Sequence, residues 1–174
     1  MTDNLRTSTD IRPGSYLIDT DRSRVEFTAT HVFGLKPVQG TMAVRSGTVM
    51  VAAEPRRSTV SAELDAATFT TDDPRRDRDV RGKRFLHAAD FPAIGFRSTR
   101  LERSGSGWQV IGVLSVRGGS AEVVLDLTEA TATADGYRFA ATTTVDRVAA
   151  GVGGGRAIIG RLVQIRLTVT ATAG

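Results

Sequence analysis

Apolar side chains recur at every second position along most of the chain, a period that suits strands with one dry and one wet face. In RVEFTATH, Val25, Phe27, Ala29 and His31 share a face and Glu26, Thr28 and Thr30 share the other. Val60, Ala62 and Leu64 alternate with Ser61, Glu63 and Asp65, and Ile94, Phe96 and Ser98 with Gly95, Arg97 and Thr99. Trp108, Val110, Gly112, Leu114 and Val116 oppose a second apolar set that includes Ile111 and Val113, and Val163, Ile165, Leu167 and Val169 close the series. With 16–18, 38–44, 48–51, 121–127 and 137–145, this predicts eight or nine strands.

Glycine marks the turns. Gly118-Gly119-Ser120 reads as a tight hairpin with glycines at positive φ, and Asp135-Gly136 introduces the next strand in the same way. One segment breaks the alternation: DRDVRGKRFL, residues 77–86, reads as a short helical crossing capped by Thr71 or Asp72 and begun near Pro74. The glycine stretch GVGGG at 151–155 is expected to be a mobile loop. Many short strands imply an antiparallel sandwich or a closed barrel, and a barrel leaves no strand edge exposed.

At 174 residues the chain is expected to form one domain, and 40% hydrophobic content suffices for a solid core or a lined cavity. Cysteine is absent, which removes disulfides, thiol nucleophiles and thiolate metal sites. MTDNLRTSTDIRPG, residues 1–14, reads as a flexible polar tail without an apolar run of signal-peptide length, and no stretch approaches a membrane span. The expectation is a soluble, cytoplasmic protein with the domain over 15–172.

The net charge of +4 raises the question of nucleic acid. The densest stretch answers it: between Asp72 and Arg84, six basic residues sit among Asp72, Asp73, Asp77 and Asp79, with no stacking aromatics between them. That is a self-pairing surface, and no nucleic-acid partner is expected.

Chemistry-bearing motifs are few. With only His31 and His87 and no clustered ligands, no metal site is expected. GVGGGR puts Arg156 where a dinucleotide fingerprint needs its last glycine, Gly82-Lys83 lacks the rest of a phosphate loop, and Gly-x-Ser-x-Gly does not occur. His31 continues an apolar face, so its imidazole must find a partner: a hydrogen bond across the barrel mouth, or the head of a ligand. Arg147 beside Asp146 is either a local ion pair at a strand end or a contact for an anionic group. Phe27, Phe33, Phe69, Phe85, Phe91, Phe96, Trp108 and Phe139, with Leu114, either fill a core or line a cavity. Small inward residues, Ala29, Ala62, Gly112, Ala121 and Ala141, leave volume for something to occupy.

The order of these motifs resembles the YceI-like family, also described as polyisoprenoid-binding and lipocalin-like. YLIDTDRSRVEFTATHVFG carries the opening at Asp19, Ser23, Val25, Phe27 and His31. The most specific stretch is VRGKRFLHAADFPAIGFRSTRLE, with Arg81, Phe85, Leu86, Asp90, Phe91, Pro92, Ile94, Phe96 and Ser98 in the family pattern. VIGVLSVRGGSAEVVLDL, TTVDRVAAG and IIGRLVQIRLTVTA complete a resemblance over roughly residues 15–172. It implies an all-β fold, a single eight-stranded antiparallel lipocalin-like barrel whose cavity holds an isoprenoid or other long-chain amphiphile, without a cofactor or catalysis. A homodimer is expected by analogy alone. Two departures stand out: Val148-Ala149-Ala150-Gly151 lacks the aromatic that usually follows the Asp-Arg pair, and the export signal of many members is not seen.

The expected function is non-catalytic carriage of a polyisoprenoid, polyprenyl phosphate or isoprenoid quinone, its head near His31 and Arg147. The competing expectations are a stress-response or interaction scaffold without a specific lipid, and an enzyme acting on a bound isoprenoid.

Overall fold

The computed structural model describes residues 6–7, 11–31, 37–105, 107–154 and 159–174. Ten strands run in chain order: β1 (Arg6–Thr7), β2 (Gly14–Ile18), β3 (Arg24–His31), β4 (Val38–Val51), β5 (Thr59–Asp65), β6 (Ala93–Ser104), β7 (Gly107–Val116), β8 (Gly119–Ala132), β9 (Gly136–Asp146) and β10 (Ile159–Ala173). From β3 to β10 each strand pairs antiparallel with the next, and β10 returns to β3, with Leu167 opposite Val25 and Gln164 opposite Thr28. Eight strands therefore close a barrel, as the resemblance implied. β2 extends the line of β3 between β10 and β4. Between them lies a single 3-10 turn, where the Asp19 carboxylate accepts from the N–H groups of Asp21 and Arg22. β1 is an addition, paired parallel to β8 at Glu129 and Ala130.

Strict alternation predicts separate strands at 38–44 and 48–51, but β4 is one strand of 14 residues. Its register shifts between Val44 and Ser46. The shift inverts the side-chain parity, so Val38, Gly40, Met42 and Val44 face inward before it and Val49 and Val51 after it. β6 shifts likewise between Ser98 and Arg100, and β8 between Leu127 and Glu129. Such bulges let long strands bend around a closed barrel while keeping apolar residues inside.

The β7–β8 hairpin turns one residue earlier than the glycines suggest. Val116 pairs with Gly119, so the loop is Arg117-Gly118, both at positive φ, 52° and 76°. An arginine tolerates this strained conformation because its guanidinium is anchored, donating to the Phe85 carbonyl at 3.0 Å.

Helix α1 (Pro74–Arg81) occupies the long β5–β6 connection. Its cap is Asp73 rather than Thr71 or Asp72: the Asp73 carboxylate accepts from the N–H groups of Arg75 and Arg76 at 2.9 and 3.2 Å. The α-helix ends at Arg81 and residues 82–86 continue as turns. Asp77 is buried on the inner side of α1, its carboxylate accepting from the Thr71 N–H at 2.8 Å, the Thr71 hydroxyl at 2.6 Å and the Thr70 hydroxyl at 3.1 Å. Burial alone would raise the Asp77 pKa, but these bonds outweigh it and hold the carboxyl below the usual range. Among the described residues no helix is long and apolar enough to cross a membrane.

Candidate functional site

The inward faces of the barrel strands do not meet at the centre. They enclose a cavity of about 860 Å³, walled by Val25, Phe27 and Ala29 of β3, Val60, Ala62 and Leu64 of β5, Val123, Leu125 and Leu127 of β8, Ala141 and Val145 of β9, Val163 to Val169 of β10, and their neighbours. Among the described residues, polar side chains on this wall are few: Arg12, Ser58, Arg76, Thr143 and Arg147.

The two ends of the cavity differ. One carries α1 and its following turns, the β7–β8 hairpin and the segment after β9. There the lining residues Phe69, Val80, Phe85, Leu86, Arg147, Ala150 and Val152 are buried or half-buried. The Arg81 guanidinium donates to the Phe69 carbonyl and ties the helix to the barrel rim. At the other end lie the β4–β5, β6–β7 and β8–β9 connections and residues 11–13. Arg12, Pro13, Ala53 and Pro55 line the cavity here and are also exposed to solvent, whereas no described lining residue at the α1 end is exposed. Among the described residues, the cavity meets solvent at the end that carries Arg12.

Phe27, Phe69, Phe85, Phe96, Trp108, Leu114 and Phe139 all line the cavity. Phe27 and Phe69 pack at a centroid distance of 6.1 Å deep in it, and Trp108 stands near the mouth with the Arg103 guanidinium 5.1 Å over its ring. Phe91 does not line it: 36% exposed, it lies on the outer surface beside His87, ring centroids 5.6 Å apart. His31 ends β3 opposite Ile159, and its side chain lies outside what the structure describes, as does the whole of Phe33.

Arg147 lines the covered end, but its pairing differs from expectation. Asp146 is bridged by Arg161 at 2.8 Å and accepts from the N–H groups of Val148 and Ala149. The Arg161 hydrogen bond, the largest influence, holds the Asp146 carboxyl below its ordinary range. The buried Arg147 guanidinium donates instead to the Val152 carbonyl at 2.8 Å and the Gly154 carbonyl at 2.6 Å, and sits 5.9 Å from the Phe85 ring centre. It thereby anchors the described part of the glycine stretch expected to be mobile: Val152 is buried and its N–H donates to the Arg147 carbonyl at 2.8 Å.

Of the small inward residues, Ala29, Ala62 and Ala141 line the cavity. Gly112 does not, because the Phe96 ring fills the space a side chain there would take, and Ala121 packs instead with the Val123, Val145 and Ala150 cluster.

Sequence reasoning missed part of this wall. Ile11, Arg12 and Pro13 fall in the segment read as a flexible tail, yet line the mouth. The Arg12 N–H donates to the Tyr137 hydroxyl at 3.0 Å, and the Tyr16 hydroxyl donates to the Arg12 carbonyl at 2.6 Å. Burial, more than the neighbouring Tyr137, pushes the Tyr16 pKa up, so that hydroxyl stays a donor. Val80, Leu86, Ala150 and Val152 were missed because they lie off the strands, where periodicity carries no information. Among the described residues no group of three His, Asp or Glu side chains is placed to hold a metal ion.

A UPF0312 protein of Yersinia pestis (strain Pestoides F) is 35% identical to this chain over 72 residues, 41% of this chain and 38% of that protein. The match thus spans well under half of the relative's length. BcnA of Burkholderia cenocepacia superposes with a TM-score of 0.75 at 21% identity, covering 87% of this chain and 98% of BcnA. A polyisoprenoid binding domain from Saccharophagus degradans superposes with a TM-score of 0.66 at 11% identity, covering 94% of this chain and all of that domain. At these identities the two structures establish a shared fold. The YceI-like domain profile matches residues 16–171, nearly the whole barrel from β2 to β10, and the chain belongs to the YceI-like family.

Proposed function

We propose that this protein is a non-catalytic binder and carrier of a long-chain amphiphile, with the apolar chain threaded into the barrel. The observation that carries this reading is the continuous apolar cavity of about 860 Å³, open at the Arg12 end. Its volume falls within the range of small-molecule sites, roughly 300–1,000 Å³. Water inside would find few of the two to four polar partners it needs. An apolar chain displacing that water gains ~0.8 kcal/mol per buried methylene, less the cost of ordering it. Recognition through such a wall follows length and thickness more than chemistry, which suits an isoprenoid, whether polyprenyl phosphate or isoprenoid quinone. The Saccharophagus degradans domain of the same fold is described as polyisoprenoid-binding.

Native mass spectrometry of the purified protein, with organic extraction of whatever it carries, tests the reading. One long-chain amphiphile per chain is expected. Protein that is empty and takes up neither added geranylgeraniol nor an added isoprenoid quinone would sink it.

A further inference from the structure

Three arginines line the described cavity, and two are already engaged. Arg76 bridges Asp72 at 2.7 Å, and Arg147 donates to the Val152 and Gly154 carbonyls. The guanidinium of Arg12 has no ion pair or hydrogen bond among the described residues, although its backbone is held on both sides by Tyr137 and Tyr16. Pro13 further restricts the Arg12 backbone to extended conformations. A charge held at the open end and, among the described residues, without a counter-charge is poised for an anion.

The rest of the rim has the same sign. Arg56 lies on the short turn whose Pro55 lines the mouth, and Arg103 stands over Trp108; neither has an ion pair among the described residues. Of the described carboxylates nearby, Glu54 is bridged by Arg57 at 3.2 Å, and Asp135 shares Arg22 with Asp19, at 2.8 and 2.7 Å. Among the described residues, Arg12, Arg56 and Arg103 outnumber the one carboxylate that this sharing leaves over, and the charge at the mouth is positive.

We propose that Arg12 is the head-group contact of the barrel, and that its ligand is an amphiphile with a phosphate-type anionic head, chain inward and head at the mouth rather than beside Arg147. This rests on the reading of the barrel as an amphiphile binder. Charge-assisted bonds from a guanidinium to phosphate are stronger than neutral ones, and Arg12 offers a planar fork of donors beside water. Arg56 and Arg103 add a screened, longer-range attraction.

The test compares two ligands with one chain, geranylgeranyl phosphate and geranylgeraniol, by the fluorescence of Trp108, the single tryptophan, in the cavity wall. Wild type is expected to bind the phosphate about tenfold tighter at low salt, with the margin shrinking as salt rises. R12Q is expected to lose that margin while keeping its affinity for geranylgeraniol, and R56Q to lose a smaller part. Equal affinities in wild type, or a margin that survives in R12Q and vanishes in R147Q, would overturn the head-group assignment while leaving the barrel a binder. Failure of both ligands, with an added isoprenoid quinone also refused, would overturn the binder reading itself. Millimolar inorganic phosphate is expected to leave both bound; selective competition with geranylgeranyl phosphate would make the rim a free-phosphate site and overturn the lipid assignment.

Discussion

The Phe96 ring lies where a side chain on Gly112 would be: a Cβ built there would meet Phe96 Cζ at 2.6 Å and the Arg97 carbonyl oxygen at 2.5 Å. The glycine's role is to admit an aromatic ring to the wall, and the volume it seems to leave in sequence is already filled. Gly112→Ala is expected to destabilise the fold by about 1–3 kcal/mol, because a backbone oxygen cannot step aside as a flexible side chain would. Adding Phe96→Leu should restore part of that loss, which a double-mutant cycle by thermal denaturation reads as coupling between the positions. Simple additivity would show that the ring is not what meets the new methyl group.

Ala141 on β9 faces the cavity between Leu127 and Leu167, its partners on either side. Ala141→Phe puts a ring into the empty interior instead of a packed wall, so stability should change little. Displacing roughly two chain carbons at ~0.8 kcal/mol each weakens geranylgeraniol by about tenfold. Unchanged uptake by a folded variant would show that the chain does not lie inside.

Asp77 ties α1 to the segment that precedes it. Asp77→Ala leaves the half-buried Thr71 N–H without its partner and is expected to lower stability by about 1–3 kcal/mol. Because the folded pKa lies below the unfolded value of 3.8, the stabilisation from the ionised carboxylate is fully present above that value. It is lost as pH falls further, through the lowered folded pKa. Wild type and Asp77→Ala should therefore converge in stability in strong acid and differ at neutral pH; a constant gap at all pH values would refute the role of the charge.

Arg147→Met keeps an apolar stem against Phe85 and removes the donors that hold the Val152 and Gly154 carbonyls. Hydrogen exchange of residues 148–154 should quicken, with about 1–3 kcal/mol lost from global stability. Exchange as slow as in wild type would mean that the backbone bond from Val152 N–H to the Arg147 carbonyl holds the segment alone.

The strands were legible because a half-buried strand writes its period directly into the chain. β3, β7 and β10 show it without interruption, and Val25, Phe27 and Ala29, then Trp108, Val110, Leu114 and Val116, then Val163, Ile165, Leu167 and Val169 line the cavity as their period predicts. β4 was split at Arg45 because a bulge shifts the parity of inward positions, which in sequence looks like the end of one strand and the start of another. The aromatics of the site were legible as a set, but Phe91 obeys no strand period. It follows Asp90 in a turn, and only the packing of that turn sends it outward beside His87.

From its sequence alone, the chain determined its strand content, its turns, its lack of thiol chemistry and, by the order of its motifs, its family. Those properties are local, repeated or colinear, and period, composition and spacing record them. Tertiary structure alone decided which end of the barrel is open, that Arg147 is bonded to its own loop, and that Arg12 stands at the mouth. Each of these depends on closure of the barrel, which brings Arg12 to Tyr137 across 125 positions of sequence, a proximity that no local pattern encodes.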